Sequence, residues 1–248
     1  MDNTLGRSSA TPDYTLRIPS HIRHVLRLGL GGGAVGLLVN LGAIKGRRLI
    51  GGVLLATGAG SGALALALRM VTGTRGRLRA RRRMMDAVSW RGDERVLDVG
   101  CGNGFLLVEA AKRLTTGMAT GIDIWLTDAG QQSGGAVRHN ARLEGVADRI
   151  EVQDADARSM PFADDTFDVV LSGLMLHHAG GGADRERVLR EMVRVLKPGG
   201  RIVLYDMLPF ITSAARQLRA SGLDRVERSG GFMAVLTASQ AALSTVAG

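Results

Sequence analysis

Residues 94–114 carry the feature that most limits what this chain can become. The apolar run Arg95, Val96, Leu97, Asp98, Val99 has the length and composition of a buried parallel strand. Glycine then alternates through Gly100, Cys101, Gly102, Asn103 and Gly104, and an apolar helical pattern follows over residues 105–114. Strand, glycine turn and helix in that order make an anion-receptive end, because glycine lets backbone approach a ligand and helix-end amides point at it. The spacing argues against a dinucleotide. That fingerprint needs glycine, one residue, glycine, two residues, glycine, and Phe105 stands where it has the third glycine. A nicotinamide oxidoreductase is therefore disfavoured.

Asp98 followed by Gly100, Gly102 and Gly104 resembles the first motif of class I S-adenosylmethionine-dependent methyltransferases of small-molecule type, such as the ubiquinone/menaquinone-biosynthesis group. The resemblance extends over residues 84–239. It implies an α/β, Rossmann-like, seven-stranded, mostly parallel sheet with helices on both faces. It also implies S-adenosyl-L-methionine as cofactor, held by Asp98, Gly100, Cys101, Gly102, Gly104, Asp123, Ile124, Asp156, Ala157 and Ser172. Residues 119–123 look like the second strand, ending in an acidic side chain that can accept both ribose hydroxyls. Asp156, with Ala157 beside the ring, is similar to the segment that meets adenine; a slip of two residues would assign Asp154 instead. Residues 160–172 resemble the turn and fourth strand, and Leu196, Lys197, Pro198, Gly199, Gly200 the end of a helix, a chain reversal and the fifth strand. A last helix over residues 211–220 and strands near Val226 and over residues 233–237 would complete the sheet.

Transfer of a methyl group from a sulfonium is a direct displacement, so alignment of the reactants supplies much of the rate and a base is optional. His177 and His178, just beyond Ser172, are the candidate catalytic residues for a hydroxyl acceptor. In the bland alternative they open a solvated loop before Gly180, Gly181 and Gly182. Trp125 either packs over adenosine or fills a core gap, residues 126–135 read as a loop near the ligand, and His139 falls on an exposed helix face. Cys101, the only cysteine, reads as a small residue in a tight turn; a single cysteine excludes disulfides and multi-cysteine metal sites, and no metal-binding constellation is seen. The fourth strand ends Ser172, Gly173, Leu174, Met175 and lacks the Asn/Asp-Pro-Pro-aromatic pattern of methyltransferases that act on nucleobase amines. Nucleic acid is thus disfavoured and small molecules remain.

Before this domain lie two stretches without a charged side chain, residues 28–44 and 49–68, which are 17 and 20 residues long. About 20 apolar residues span a bilayer core, so residues 28–70 read as a transmembrane hairpin of two apolar helices. A soluble Gly/Ala-rich hairpin is the rival reading, and a cleaved signal peptide fits poorly because the apolar core starts late and is followed by another. Gly32 with Gly36, and Gly58 with Gly62, would let helices approach closely. Residues 1–27 form a basic segment, 71–93 a basic linker and helix, 94–240 the methyltransferase domain and 241–248 a tail. Residues 1–83 carry net +12 and the remainder −3, so the overall +9 belongs to the amino-terminal third. Arginines outside both stretches outnumber the basic residues between them, which puts both ends and the catalytic domain in the cytoplasm.

The leading expectation is a membrane-anchored methyltransferase acting on a lipophilic small molecule, because tethering at an interface raises encounters with substrates dissolved there. Two alternatives stand beside it: a non-catalytic module that binds the cofactor at the membrane, and an RNA methyltransferase with a basic amino-terminal arm. Oligomeric state is left open.

Overall fold

Along the central strands apolar side chains point alternately to the two faces, and each face has its own core. The computed structural model describes residues 11–14, 74–125 and 134–239. In order, the elements are α1 (Thr74–Asp86), β1 (Arg95–Val99), α2 (Leu107–Ala111), β2 (Met118–Asp123), α3 (Gly134–Leu143), β3 (Ile150–Asp154), β4 (Phe167–Gly173), α4 (Gly182–Arg194), β5 (Leu196–Met207), α5 (Leu208–Ala220), β6 (Arg225–Gly230) and β7 (Met233–Ser239). Short 3-10 turns cover Ala147–Arg149 and Leu176–His178.

Leu97 and Val99, with Val170, Ile202 and Leu204, face one core, which α4 and α5 complete through Leu189, Met192, Ile211 and Leu218. Val96, Val169, Leu171, Val203 and Tyr205 face the other, closed by Met84 and Met85 of α1, Leu107 and Ala111 of α2, and Val137 of α3. Such two-faced burial is what near-continuous apolar runs in parallel strands imply.

The sheet order is β3-β2-β1-β4-β5-β7-β6. Strands β1 to β5 are parallel, and β7 runs antiparallel between β5 and β6. The chain winds outward from β1 through β2 to β3, then returns to place β4 on the other side of β1. Ligands of open α/β sheets bind at such a switch point, beyond the carboxyl ends of the strands.

The chain divides into two compact units, residues 1–14 with 80–248, and residues 15–79. The sheet belongs to the first. Within it the short segment around Asp13 and Tyr14 lies against α3. The expected hairpin, residues 28–70, and the loop at residues 126–133 lie outside the described residues. Among the described residues no helix is long and apolar enough to cross a membrane.

Two local expectations are corrected. The helix after the glycine turn is α2 alone, five residues, and its end tightens as Arg113 and Leu114 donate to Ala110 and Ala111 three residues back at 2.8 and 3.2 Å. Pro198, Gly199 and Gly200 do not reverse the chain after a helix, because α4 has already ended at Arg194. They form an irregularity within β5, where Leu196 pairs with Phe167 but Arg201 pairs with Val169. Gly199 has φ +78°, which lets the excess residues loop out of the ladder.

Candidate cofactor and acceptor site

The glycine turn leaves β1 at the switch point. Gly100 and Cys101 both donate to the Ile122 carbonyl, at 2.9 and 3.0 Å, and Gly104 donates back to Cys101 at 2.8 Å. Gly100, Gly102 and Gly104 have φ of +74°, +53° and +82°. A Cβ on Gly100 would stand 2.4 Å from the Met175 side chain, so the position excludes a side chain by space as well as by conformation. Cys101 is buried, its Sγ faces Gly121 of β2, and burial pushes its thiol well above the ordinary range. It serves as the small residue expected, not as a nucleophile.

Asp123, at the end of β2, grips this turn. Its Oδ2 accepts the Gly102 amide and its Oδ1 the Trp125 amide, both at 2.9 Å. Trp125 has φ +41° and its indole Nε1 donates to the Gly102 carbonyl at 3.2 Å. Trp125 packs against the core of the α1–α3 face and is fastened to the glycine turn. Ile124 between them is 46% exposed, an apolar side chain presented outward at a strand end.

Asp98 is 1% exposed, and neither carboxyl oxygen has a hydrogen-bond partner among the described residues. The buried side-chain oxygen of Asn103 is likewise without a donor. Burial pushes the Asp98 carboxyl up to about 7, the nearby Leu107 backbone amide opposing and the Asp123 charge adding. Buried acceptors without donors are costly, and a ligand that brings donors would offset that cost. A pyrophosphate offers only acceptors, whereas the ammonium of a methionine moiety offers three N–H groups.

Two other predicted contacts are already engaged within the chain. Asp156 accepts both the backbone and the guanidinium of Arg158, the closest contact being 2.6 Å, which holds its carboxyl below the usual range. Ala157 packs against the core of the α4–α5 face. Asp154 sits at the exposed end of β3, in register with Asp123. Ser172 is buried and its hydroxyl donates to the Val99 carbonyl at 2.8 Å, joining β4 to β1 at the switch point.

Beyond β4, Leu174 takes φ +61° and the chain enters the turn that carries both histidines. His177 Nδ1 lies 2.9 Å from Oδ1 of Asp206, which is 1% exposed near the end of β5. Asp206 also accepts the His177 and Met207 amides, at 3.4 and 2.7 Å. The His178 ring lies against His177, centroids 3.9 Å apart and planes tilted by 44°; burial first, and the His177 charge second, lower its pKa from the ordinary value. Phe210 stands 6.1 Å from the His177 ring. The β6–β7 hairpin carries Phe232, 56% exposed, and its carbonyl accepts the Leu208 amide at 2.8 Å. Asp206 was missed in the sequence, yet a carboxylate closing the apolar run at residues 202–205 needs a buried partner and was the available signal. His139 is exposed on α3 as expected, and among the described residues no cluster of side chains could hold a metal.

Residues 97–204 match the model of a methyltransferase domain. The Rossmann-like sheet built around those residues is the fold of such a domain. The domain is 37% identical over 158 residues to 27-O-demethylrifamycin SV methyltransferase of Amycolatopsis mediterranei, covering 62% of this chain and 53% of that one. It is 34% identical over 129 residues to a ubiquinone/menaquinone biosynthesis C-methyltransferase of Geotalea daltonii, covering 51% of each. The chain thus spans about half the length of these curated relatives. In fold the domain is similar to a crystal structure of a SAM-dependent methyltransferase from Aquifex aeolicus, with TM-score 0.53 and 19% identity over 69% of this chain and 92% of that one. The glycine turn, Asp98 and the β2 end just described all lie within the residues that the domain model spans.

Proposed function

We propose that this protein is a membrane-anchored methyltransferase that uses S-adenosyl-L-methionine to methylate a hydroxyl group of a lipophilic small molecule. The observation that carries the acceptor atom is the 2.9 Å pairing of His177 Nδ1 with buried Asp206, one strand from the glycine turn. A carboxylate on Nδ1 holds the proton there and leaves Nε2 as the acceptor, which suits a base that removes a hydroxyl proton. Methylation of an activated carbon also sheds one proton, so the position of the label in the product separates the two.

The cofactor supplies an electrophilic methyl group on a sulfonium. Asp98 and Asn103 would receive its amino group, Asp123 and the Gly102 turn its ribose, and Ile124 with Asp156 and Ala157 its adenine. Asp156 would have to release or share Arg158 to do so. Phe210, and Phe232 on the hairpin tip, give the acceptor side apolar surface, and Ser172 keeps β4 and β1 in register beneath it.

Two features support a lipophilic acceptor at a membrane. Residues 28–44 and 49–68 carry no charge and are flanked by arginines, as a cytoplasm-facing hairpin requires. Related proteins include, beside the ubiquinone/menaquinone biosynthesis C-methyltransferase, a 2-phytyl-1,4-beta-naphthoquinone methyltransferase of Arabidopsis thaliana, 36% identical over 124 residues.

The test is to reconstitute the full chain in liposomes with methyl-labelled S-adenosylmethionine and a set of lipid-soluble phenols and alcohols, beside water-soluble analogues. Labelled methyl ethers in the organic extract are expected, abolished by His177→Ala. Carbon-bound label would overturn the hydroxyl assignment, and preference for the water-soluble analogues would overturn the membrane-facing one.

A further inference from the structure

Asn140 is a polar residue in the wrong place for a helix that only packs. With Val137 and Ala141 it forms the buried stripe of α3, at spacings that put all three on one face, and it is 2% exposed. A primary amide in that position is costly unless every polar atom is used. Here they are used in an unusual way. Its Oδ1 accepts the Asp13 amide at 3.0 Å, while Nδ2 donates to the Asp13 carbonyl and to the Asn103 carbonyl, each at 3.0 Å. Three partners of two kinds permit only this orientation of the amide.

The side chain therefore pairs with the backbone of Asp13 as a neighbouring strand would, and with its second N–H holds the middle of the glycine turn. The rest of the stripe bears on the same turn, since a Cβ on Gly104 would lie 2.9 Å from Val137. The segment carrying Asp13 continues the contact. Tyr14 meets the edge of the Phe105 ring, centroids 5.5 Å apart, and its hydroxyl lies 3.4 Å from Glu144 at the end of α3. The Arg81 guanidinium covers the same Phe105 ring at 4.7 Å. Phe105 directly follows Gly104, so Asn103 and Phe105 on either side of that glycine are both held by contacts that involve residues 13 and 14.

We propose that Asn140 is a positioning residue for the cofactor turn, and that the Asp13–Tyr14 segment is a strap whose docking on Asn140 and Phe105 is energetically coupled to binding of S-adenosylmethionine. The reading rests on the cofactor assigned to the domain above. Its physical content is that the Asn103 carbonyl is fixed from behind by Asn140, which leaves the buried Asn103 side-chain oxygen, without a donor among the described residues, for a donor that the cofactor brings. Coupling of this kind is reciprocal: if the strap supports the ligand, the ligand supports the strap.

The experiment uses the full chain in detergent. Amide hydrogen exchange of a peptide spanning residues 11–14 is followed with and without saturating S-adenosylhomocysteine, and affinities for both sulfur ligands are measured by calorimetry for three proteins. These are the wild type, Asn140→Asp, which keeps Oδ1 and loses both N–H groups, and Asp13→Pro, which removes the amide that Asn140 accepts. We expect ligand to slow exchange in the strap several-fold, Asn140→Asp to weaken binding by about tenfold or more, and Asp13→Pro to weaken it by about threefold to tenfold, on the scale of one or two lost hydrogen bonds. Near-ultraviolet circular dichroism establishes that each variant is folded. A merely structural asparagine would lower the melting temperature without making strap exchange depend on ligand. If Asn140→Asp fails to fold, Asp13→Pro and the wild-type exchange decide. Strap exchange that ignores ligand, or wild-type affinity in folded Asp13→Pro, overturns the coupling. Failure of the wild type to bind either ligand overturns the cofactor assignment itself, and the strap with it.

Discussion

Asp123 accepts the backbone amide of Gly102 at 2.9 Å, so the carboxylate that ends β2 is also the clasp of the turn that ends β1. Its other oxygen orders Trp125, whose indole returns to the Gly102 carbonyl. One side chain thus organises turn, indole and prospective ribose site. Asp123→Ala is expected to weaken S-adenosylmethionine binding by about 100-fold, on the scale of one hydrogen bond to a charged group. Titration calorimetry, with Trp125 fluorescence reporting release of the indole, checks this. A variant that binds as the wild type does would remove Asp123 from the site.

Asp98 predicts a pH dependence of binding. Its folded-state pKa, about 7, lies above that of an unfolded aspartate, so between about pH 4 and 7 the ligand-free native state holds a proton that the unfolded chain has lost. Stability contributed by this group is therefore greatest below the unfolded value and is lost as pH rises through about 7. A cationic amino group favours the ionised carboxylate, which gives the opposite trend for binding. The dissociation constant for S-adenosylmethionine should rise close to tenfold from pH 7.5 to 6, with proton release on binding at pH 6. Calorimetry in buffers of different ionisation enthalpy reads both, and Asp98→Asn should flatten the profile.

The His177–Asp206 pair predicts a split between chemistry and cofactor affinity. Asp206→Asn leaves a side chain of the same shape but no charge to hold the imidazole proton on Nδ1. Turnover of a hydroxyl acceptor should fall by about 10²–10⁴, the scale of general base catalysis, while S-adenosylmethionine affinity changes little. An equal loss of both in a folded variant would assign Asp206 a structural role only.

Gly100→Ala tests the packing beneath the turn. The new methyl meets the Met175 side chain at 2.4 Å in a residue with φ +74°, and the cost should be about 1–3 kcal/mol. Urea unfolding measures it. The double variant with Met175→Gly, which removes both the 2.4 Å Cγ and the 2.8 Å Cβ contact, should recover the steric part and not the conformational part, so complete recovery would show that backbone conformation costs nothing here.

The sheet and the glycine turn at the end of β1 were legible in the chain because they are local. A five-residue apolar strand, three alternating glycines and an acidic residue 19 positions after Gly104 are set by short-range geometry, and the structure brings Gly102 and Asp123 together. The separation of Pro198, Gly199 and Gly200 from the end of α4 was not legible, since their place within β5 depends on pairing with β4. The contacts that only tertiary structure decided join residues distant in sequence: His177 with Asp206, 29 positions apart, and Asn140 with Asp13, 127 apart. Nothing in local propensity brings such groups together. Buried polar atoms do, because each must find a partner once the strands and helices that carry it have removed it from water.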